Sequence, residues 1–538
     1  MTAALEVRSL DDLPFVERFT ALVPGDAEAR NAVRQVYGAG WTRVEPTPVP
    51  APRTLAVSPE VAELLGLAPE VTAGDDFAQV FAGNRLPRNA SPFAMCYGGH
   101  QFGSWAGQLG DGRALALGEV RDAQGGFQTL QLKGAGPTPY SRGADGRAVL
   151  RSSLREFLCS EAMFHLGVPT TRALSLVATG DRVVRDVLYD GHPRPEPGAV
   201  VCRVAPSFVR FGSFQLPAAR QDTDLLRRLA DAVVTLDFPH LARDPSLTDD
   251  ERVAAMFDEV CQRTATLMVH WMRVGFVHGV MNTDNLSILG LTIDYGPYGW
   301  LEDFDPAWTP NTTDASGRRY RYGAQPQVAH WNLLQLANAL VALTGRPDDL
   351  QRGLDGFATA YGEQFESMMA TRLGWGSAQP GDGEQMSTLF GLLQRTEIDA
   401  PLFFRFLAAV PTDGDRADDD LLSPLEVAWY RPDDLRGEVG AALADWLRQW
   451  GDRCHRSGLD AGARRRAMDA VNPRYVLRNA LAQEAIDDAE QGDTSLLHRL
   501  WEVLRHPYDE QPGAERFGGR RPEWARHRVG CSMLSCSS

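Results

Sequence analysis

The sequence predicts an α+β protein of two lobes, with an N-terminal extension before the first lobe and extra helices at the end of the second. Residues 114–133 alternate between apolar and other side chains around a turn, as a β-hairpin does. After residue 225, apolar positions recur at helical spacing over long runs. Between these helical runs, residues 276–296 carry two carboxylates and an amide beside short apolar runs. A strand-rich first half therefore meets a helical second half at a polar segment.

The size and charge of the chain limit its possible functions. With 538 residues, of which 43% are apolar, it is long enough for two lobes that bury a core. Its formal net charge of −16 disfavours a nucleic-acid partner, because such binding depends on clustered Lys and Arg. It has no run of 18 apolar residues, and residues 1–15 do not resemble a targeting sequence. We expect a cytoplasmic protein with neither a nucleic-acid nor a membrane partner.

Residues 1–90 form the predicted extension, which lies over the body of the protein. The Pro-rich stretch 46–52 must run extended, because proline fixes the backbone and lacks an N–H group. Ser58 is a suitable N-cap for a short helix that ends at Leu65. A further helical signal covers Ala27–Tyr37.

Residues 91–225 are predicted to form the first lobe, a sheet with one prominent helix. Turn-forming residues 122–126 join the two hairpin strands, which cover Ala114–Val120 and Phe127–Lys133. Apolar residues at helical spacing predict a helix over Ala148–Leu166. Further strands are predicted at Ala173–Thr179, Val183–Leu188 and Val200–Val204.

Residues 226–512 are predicted to form the helical second lobe. Only two short strands, Leu286–Leu289 and Leu291–Ile293, interrupt its helical pattern. The Gly-, Arg- and Pro-rich residues 513–538 are predicted to be a mobile tail. The predicted helices cover residues 250–274, 328–344, 351–371, 437–450 and 475–505.

A glycine-rich loop and a lysine belong to the hairpin. Glycines in residues 107–113 let backbone N–H groups approach a phosphate or a sugar, although an ordinary turn has the same composition. Lys133 ends the second strand on the face opposite Leu130 and Leu132. Taken singly, Lys133 has the pattern of a solvated lysine. The order of glycine loop, hairpin, lysine and helix nevertheless indicates a protein-kinase-like first lobe.

The predicted helix after the hairpin offers two carboxylates that could hold Lys133 against a nucleotide's phosphates. Glu156 and Glu161 are five residues apart and cannot share a helix face. The spacing leaves open which of them is the partner.

The polar segment of the second lobe suits a hard cation. Asp284, Asn285 and Asp294 supply oxygen ligands of the kind that Mg²⁺ prefers, and no Cys or His pair lies nearby. A solvated loop is the alternative for Asp284. Arg203 and Arg210 could grip a terminal phosphate with their guanidinium groups, and exposed surface arginines are the competing interpretation. His278 is expected to brace the loop as a structural histidine.

Four sequence blocks resemble the signature of the selenoprotein O family, protein adenylyltransferases once classed as pseudokinases. The blocks are residues 98–103 (GGHQFG), 132–142 (LKGAGPTPYSR), 150–156 (LRSSLRE) and 278–296. The likeness extends over nearly the whole chain, including the Pro-rich segment and the C-terminal Cys-Ser-Ser. It implies a kinase-like fold that binds ATP in a reversed orientation and transfers AMP to a Ser, Thr or Tyr hydroxyl of a protein substrate.

The resemblance also implies residue roles. Glu156 would orient Lys133, and Asp284 would be the general base. Asn285 and Asp294 would hold Mg²⁺ or Mn²⁺. The implied ATP contacts are Gly110, Gly112, Arg113, Lys133, Asp145, Gly146, Arg203, Arg210 and Asp294.

The sequence departs from a conventional kinase at its base. Gly279 and Val280 follow His278, so the kinase triplet His-Arg-Asp is absent, and the acid comes six residues after the histidine. A phosphotransferase and a catalytically silent nucleotide-binding scaffold are the alternatives to an adenylyltransferase. Cys536, third from the C-terminus, is a candidate redox residue, although a cytosolic bacterial setting keeps most thiols reduced.

Overall fold

An antiparallel sheet of eight strands organises the first half of the molecule in the computed structural model, which describes residues 9–187, 190–413 and 415–535. The strands are β1 (Phe15–Val16), β2 (Trp41–Arg43), β3 (Arg53–Val57), β4 (Phe93–Met95), β5 (Gly98–Gln101), β6 (Ser104–Gln108), β7 (Ala114–Arg121), β8 (Phe127–Lys133), β9 (Arg172–Arg185), β10 (Arg194–Ala205), β11 (Phe276–Val277) and β12 (Gly299–Trp300).

The helices are few in the first half and dominate the second. They are α1 (Phe19–Leu22), α2 (Pro59–Leu64), α3 (Pro69–Ala73), α4 (Asp75–Phe81), α5 (Leu150–His165), α6 (Phe211–Ala219), α7 (Thr223–Asp237), α8 (Pro239–Ala242), α9 (Asp249–Val274), α10 (Gln325–Thr344), α11 (Pro347–Arg372), α12 (Asp382–Leu393), α13 (Ala400–Leu407), α14 (Asp418–Leu422), α15 (Glu438–Arg456), α16 (Ala461–Asp469), α17 (Asn479–Glu490) and α18 (Ser495–Leu504).

The sheet runs in the order β2-β4-β7-β8-β10-β9-β3, and β1 pairs with β7. The predicted hairpin is confirmed as β7 and β8, and Lys133 is the last residue of β8, opposite Val201 of β10. Two further pairs stand apart from this sheet: the hairpin of β5 and β6, and the pair of β11 and β12. The mixed fold is therefore a large antiparallel sheet combined with many helices.

Helix α5 packs between the sheet and the helical half. Its apolar residues Leu154, Phe157 and Leu158 are fully buried and belong to one core that continues into α9 and α10. The predicted helix is confirmed, and so is α2, whose N-cap Ser58 accepts a hydrogen bond from the Val61 N–H. Since residues 153–163 of α5 are buried, the charged residues in this stretch face protein and not water.

Five predictions of secondary structure are corrected. No helix forms over Ala27–Tyr37, because the Val36 N–H is bonded to the Gln108 side chain of β6 instead of to a helical carbonyl. Leu286–Leu289 and Leu291–Ile293 are not strands and form only isolated bridges, such as the one between Leu286 and Thr292.

The other two corrections concern longer elements. The predicted helix 475–505 is divided into α17 and α18, because Gly492 adopts a left-handed conformation with φ of +93°. The first residues of the strand predicted at Val183–Leu188 are the end of the long strand β9, which stops at Arg185, and Leu188 lies outside the described residues.

The end of the chain is packed where it is described. From Gly513 onward the sequence predicts mobility, yet Phe517, Ala525 and Leu534 are buried. The Leu534 carbonyl accepts hydrogen bonds from the backbone and side chain of Thr312. Apolar side chains within a Gly- and Arg-rich composition explain this difference, so a mobile tail is wrong for residues 513–535. Among the described residues, no helix is both long and apolar enough to cross a membrane.

Candidate active site

A cavity of about 770 Å³ separates the end of the β7–β8 hairpin from the loop that follows β11. That volume is in the range of pockets that hold small ligands. Glu156 and Arg210 lie behind its wall. The predicted site residues that line it are Gly110, Gly112, Arg113, Lys133, Asp145, Gly146, Arg203, Asp284, Asn285 and Asp294.

Lys133 is held between two carboxylates. Its Nζ lies 2.6 Å from Oε2 of Glu156 and 3.9 Å from Oδ1 of Asp294. The lysine is 8% exposed, so the interpretation of a solvated lysine is wrong. The structure also decides between the two glutamates of α5: Glu156 contacts Lys133, whereas Glu161 pairs with Arg172 on the opposite side of the helix.

Arg203 and Arg210 converge on the same carboxylate. Arg203 bonds Oδ1 of Asp294 and Arg210 bonds Oδ2. Both arginines are buried, at 2% and 1% exposure, which excludes exposed surface arginines. Arg203 also lies 3.2 Å from Glu156, so one network joins two acids and three cations. We call these five residues (Lys133, Glu156, Arg203, Arg210 and Asp294) the cleft cluster.

Asp294 is the centre of the cleft cluster. Burial alone would raise its pKa, but the charges of Arg210, Arg203 and Lys133 outweigh burial and hold the pKa well below the usual value. Its φ of +56° is in the left-handed region, which is uncommon for a residue other than glycine. Such strain is typical of functional sites. Asp294 is therefore a fixed anion at every ordinary pH.

Asp284 has the opposite electrostatics. It is 7% exposed in the 3₁₀ turn Thr283–Asn285, and burial raises its pKa to about 6. Oδ2 accepts a hydrogen bond of 3.3 Å from Gln101, whereas Oδ1 has no hydrogen-bond partner among the described residues. Two carboxylates whose pKa values are driven apart are typical of a site that divides acid–base and electrostatic roles.

Glycines make room for Asp284. A Cβ on Gly99 would lie 2.5 Å from Oδ1 of Asp284, and one on Gly212 would lie 2.0 Å from the Gly98 carbonyl oxygen. Strand β5 and helix α6 can therefore close on the turn only with glycine at these positions. The solvated-loop alternative for Asp284 is wrong because this packing buries it.

Asn285 and His278 fix the loop geometry. Asn285 donates its side-chain N–H to the Val280 carbonyl at 2.8 Å, which leaves its amide oxygen available to a ligand. His278 is 1% exposed, lies 2.9 Å from the Ile293 carbonyl, and accepts the Val280 N–H. The structural role expected for His278 agrees with these contacts. An amide oxygen and the Asp294 carboxylate fit a hard divalent cation such as Mg²⁺ or Mn²⁺.

The glycine loop packs against a second loop. Gly110 has φ of +82°, and a Cβ there would lie 2.5 Å from the Tyr140 ring. A Cβ on Gly112 would lie 2.9 Å from the Tyr140 carbonyl oxygen. The steric need for these glycines thus comes from loop packing, while the loop and Arg113 line the cavity. Asp145 and Gly146 form part of the opposite rim, where Asp145 pairs with Arg185 at 2.7 Å.

Three supporting residues escaped the sequence analysis. Gln101 contacts Asp284 across 183 positions of sequence, and the Gln131 side chain accepts a hydrogen bond from Arg203. The guanidinium of Arg210 lies 4.5 Å from the centre of the Tyr97 ring. Gln101 falls within the block GGHQFG, but its partner could not be derived from that block.

The six cysteines among the described residues do not belong to this site. Cys96, Cys159, Cys202, Cys261 and Cys454 are buried, as expected for small apolar residues. Cys531 is also buried, and burial raises its pKa to about 11, which disfavours a reactive thiolate. Cys536, the predicted redox candidate, lies outside the described residues.

A second charged group lies on the other side of α5. We call Glu60, Glu161, His165, Arg172 and Arg505 the back cluster. Ligand atoms of its first three members lie within 4.8 Å of one another. However, Arg172 and Arg505 already pair with the two carboxylates, so the group is an ion-pair network and not a metal site.

The cleft combines converging cations, a free amide oxygen and two buried carboxylates whose pKa values are shifted in opposite directions. This combination is typical of enzymes that bind the phosphates of a nucleotide. The chain belongs to the family described as Protein adenylyltransferase SelO, whose model matches residues 27–505. It is similar to the Protein nucleotidyltransferase YdiU of Azoarcus sp., at 58% identity over 98% of this chain and 99% of the relative. The proteins of that name from Rhodopirellula baltica and Xanthomonas campestris are each 57% identical, over 98% of this chain and 99% of their own length.

Proposed function

We propose that this chain transfers AMP from ATP to Ser, Thr or Tyr hydroxyls of proteins and releases pyrophosphate. The observation that carries the proposal is the convergence of Lys133, Arg203 and Arg210 on Asp294 at one cavity, beside a buried Asp284 with a free oxygen. Family membership and the names of the relatives support the same reaction class.

We also propose that the two halves form a protein-kinase-like fold. A lysine on β8 that is paired with a glutamate on α5 is the arrangement by which kinases orient their phosphate-binding lysine. The proposed divisions are an extension at residues 1–90, a first lobe at 91–225 and a helical second lobe at 226–512.

The cations of the cleft hold the leaving group in this proposal. Lys133, Arg203 and Arg210 bind the outer phosphates of ATP, so the innermost phosphorus faces the acceptor hydroxyl. Gly110, Gly112, Arg113, Asp145 and Gly146 hold the rest of the nucleotide at the rim of the cavity. Positioning and electrostatic stabilisation of the departing pyrophosphate then supply most of the rate enhancement.

Asp284 is the proposed general base. Its unpartnered Oδ1 takes the proton of the acceptor hydroxyl while the oxygen attacks the α-phosphorus and the bond to pyrophosphate breaks. A pKa of about 6 suits a base that works near neutral pH, because most molecules are then ionised yet still bind a proton readily. Gln101 orients the carboxylate through Oδ2.

Asn285 and Asp294 are the proposed ligands for Mg²⁺ or Mn²⁺. When bound there, the cation supplies charge neutralisation at the phosphates. To bind the cation, Asp294 would give up part of its contact with Arg203 and Arg210. The two arginines would then bind the phosphates of ATP instead.

ATP that carries an isotope label on a chosen phosphate tests the proposal. The protein is incubated with Mg²⁺ or Mn²⁺, an acceptor protein mixture, and ATP labelled at either the α or the γ phosphate. Transfer of the α label alone to protein is the expected result. Transfer of the γ label alone would identify a phosphotransferase, and no transfer of either label would indicate a silent nucleotide-binding scaffold.

A further inference from the structure

The hairpin of β5 and β6 carries an exposed aromatic surface beside Asp284. Phe102 at its tip and Trp105 on β6 are 38% and 40% exposed. The His100 ring contacts both Trp105, at 5.1 Å between ring centres, and Trp331, at 5.5 Å. Gln101, the neighbour of Phe102, is the residue that bonds Asp284. The surface is therefore continuous with the proposed acceptor side of the cleft.

Phe102 is an unfavourable choice for its own turn. Phe102 and Gly103 form a two-residue hairpin loop in which both have positive φ, +51° and +87°. Asn or Gly would be the usual residue at such a position, because a bulky side chain strains a backbone with positive φ. Hydrogen bonds from the Phe102 N–H to Asn282 and to the Tyr320 hydroxyl hold this conformation. The Phe102 ring also packs against the Tyr320 ring, with 5.3 Å between their centres, and its remaining exposed surface is available to a partner.

A basic segment borders the aromatic surface. Arg318, Arg319 and Arg321 lie within four positions, and none forms a salt bridge with a carboxylate in the described part of the chain. The Arg319 guanidinium stacks 4.5 Å from Trp331, and its Nε and Nη2 atoms are buried without a hydrogen-bond partner among the described residues. In a chain whose net charge is −16, these three arginines concentrate positive charge locally. Their acidic neighbour is the buried Asp314, whose carboxylate accepts the backbone N–H groups of Arg319 and Tyr320. Arg318 and Arg321 are exposed and can pair with a carboxylate from outside the chain.

We infer that Phe102, Trp105, Arg318, Arg319 and Arg321 form a docking surface for the acceptor protein. The occupant is an acidic segment that carries an apolar side chain close to the acceptor hydroxyl. Its carboxylates pair with the arginines, and its apolar side chain covers Phe102 and Trp105. This inference rests on the proposed function, because it names the class of sequence from which the hydroxyl is drawn.

Peptide binding to the full chain tests the surface without requiring catalysis. The probe is a short fluorescein-labelled peptide with one Tyr, flanking Glu residues and one Phe, measured by anisotropy with Mg²⁺ and a non-hydrolysable ATP analogue. Matched peptides carry Lys in place of Glu, or Ala in place of Phe. We expect the Glu peptide to bind roughly 10-fold more tightly than the Lys peptide, with a difference that shrinks at high salt. Equal affinities would overturn the inference.

Three variants assign the effect to this surface. Arg319→Glu should remove or reverse the preference for the Glu peptide, whereas Arg466→Glu, an equal charge change on the exposed face of α16, should leave it intact. Phe102→Asn should abolish the advantage of the Phe peptide without lowering the melting temperature, because Asn tolerates positive φ. Identical effects of Arg319→Glu and Arg466→Glu would show a general charge effect and contradict a local surface.

The outcomes separate this inference from the proposed function. Transfer of the α label to protein, together with no peptide preference, would remove the docking surface and leave the adenylyltransferase. A peptide preference without transfer of either label would leave an acidic-peptide surface and remove the adenylyltransferase.

Discussion

The two buried carboxylates of α5 have almost the same exposure and opposite surroundings. Glu156 is 1% exposed and belongs to the cleft cluster, which opens onto the cavity and shares Asp294. Glu161 is 0% exposed and belongs to the back cluster, where Ser58, Arg172 and the Ala173 N–H satisfy it completely. Burial and ion pairing therefore do not identify a functional acid. What distinguishes Glu156 is that its partners Lys133 and Arg203 also line the ligand-sized cavity.

The largest expected effect comes from the centre of the cleft cluster. Asp294→Asn keeps the shape of the side chain but removes the charge that Lys133, Arg203 and Arg210 share. We expect transfer of the α label to fall by about 10³-fold or more, on the scale of lost electrostatic stabilisation. Arg172→Gln in the back cluster is the control and should leave the rate per folded molecule close to that of the unchanged protein. Full activity of Asp294→Asn would show that the cleft cluster is no more important for transfer than the back cluster.

Asp284, the proposed general base, should give the next largest effect. Asp284→Asn is expected to slow transfer by about 10²-fold, because an amide cannot accept the hydroxyl proton. ATP affinity, measured by calorimetry, should change little, which separates chemistry from nucleotide binding. A loss of only a few fold would assign the loop a role in orienting the acceptor.

The matched pair Glu156→Gln and Glu161→Gln tests the comparison directly. Glu156→Gln should reduce transfer by roughly 10-fold, since Lys133 loses the charge that positions it. Glu161→Gln should leave transfer nearly unchanged and lower the melting temperature, because it uncouples a buried pair with Arg172. The measurements are the transfer rate and the melting temperature of each variant. An activity loss in Glu161→Gln equal to that in Glu156→Gln would contradict the division of α5 into two faces.

The smallest expected effect is a pH-dependent gain in stability. The pKa of Asp284 is about 6 in the folded protein and 3.8 as its ordinary value, so folding opposes its ionisation. This penalty is absent below the ordinary value and is complete above about pH 6. In metal-free protein, Asp284→Asn should therefore raise the free energy of unfolding by on the order of 1–3 kcal/mol at pH 8 and by less at pH 5. An equal gain at both pH values would contradict the raised pKa.

Local patterns predicted the parts of the site that lie within one element or loop. Strand alternation placed Lys133 at the end of β8, and the order of elements indicated a helix with a glutamate partner. The choice between Glu156 and Glu161 was beyond local pattern, because both lie in residues 153–163 of the helix, which are all buried. The short strands predicted near Asp294 failed for a related reason. The backbone of these segments forms only isolated β-bridges around a turn at Gly290.

The sequence by itself determined which side chains are candidates for the chemistry. The lysine, the two arginines, the two aspartates and the amide stand in segments whose composition is informative locally. Tertiary structure alone decided how they meet. It directed Arg203 and Arg210 to one carboxylate and brought Gln101 to Asp284 over 183 positions. It also gave two aspartates ten residues apart opposite pKa shifts. The physical reason is that charge and burial depend on neighbours in space, which come from strands and helices far apart in the chain.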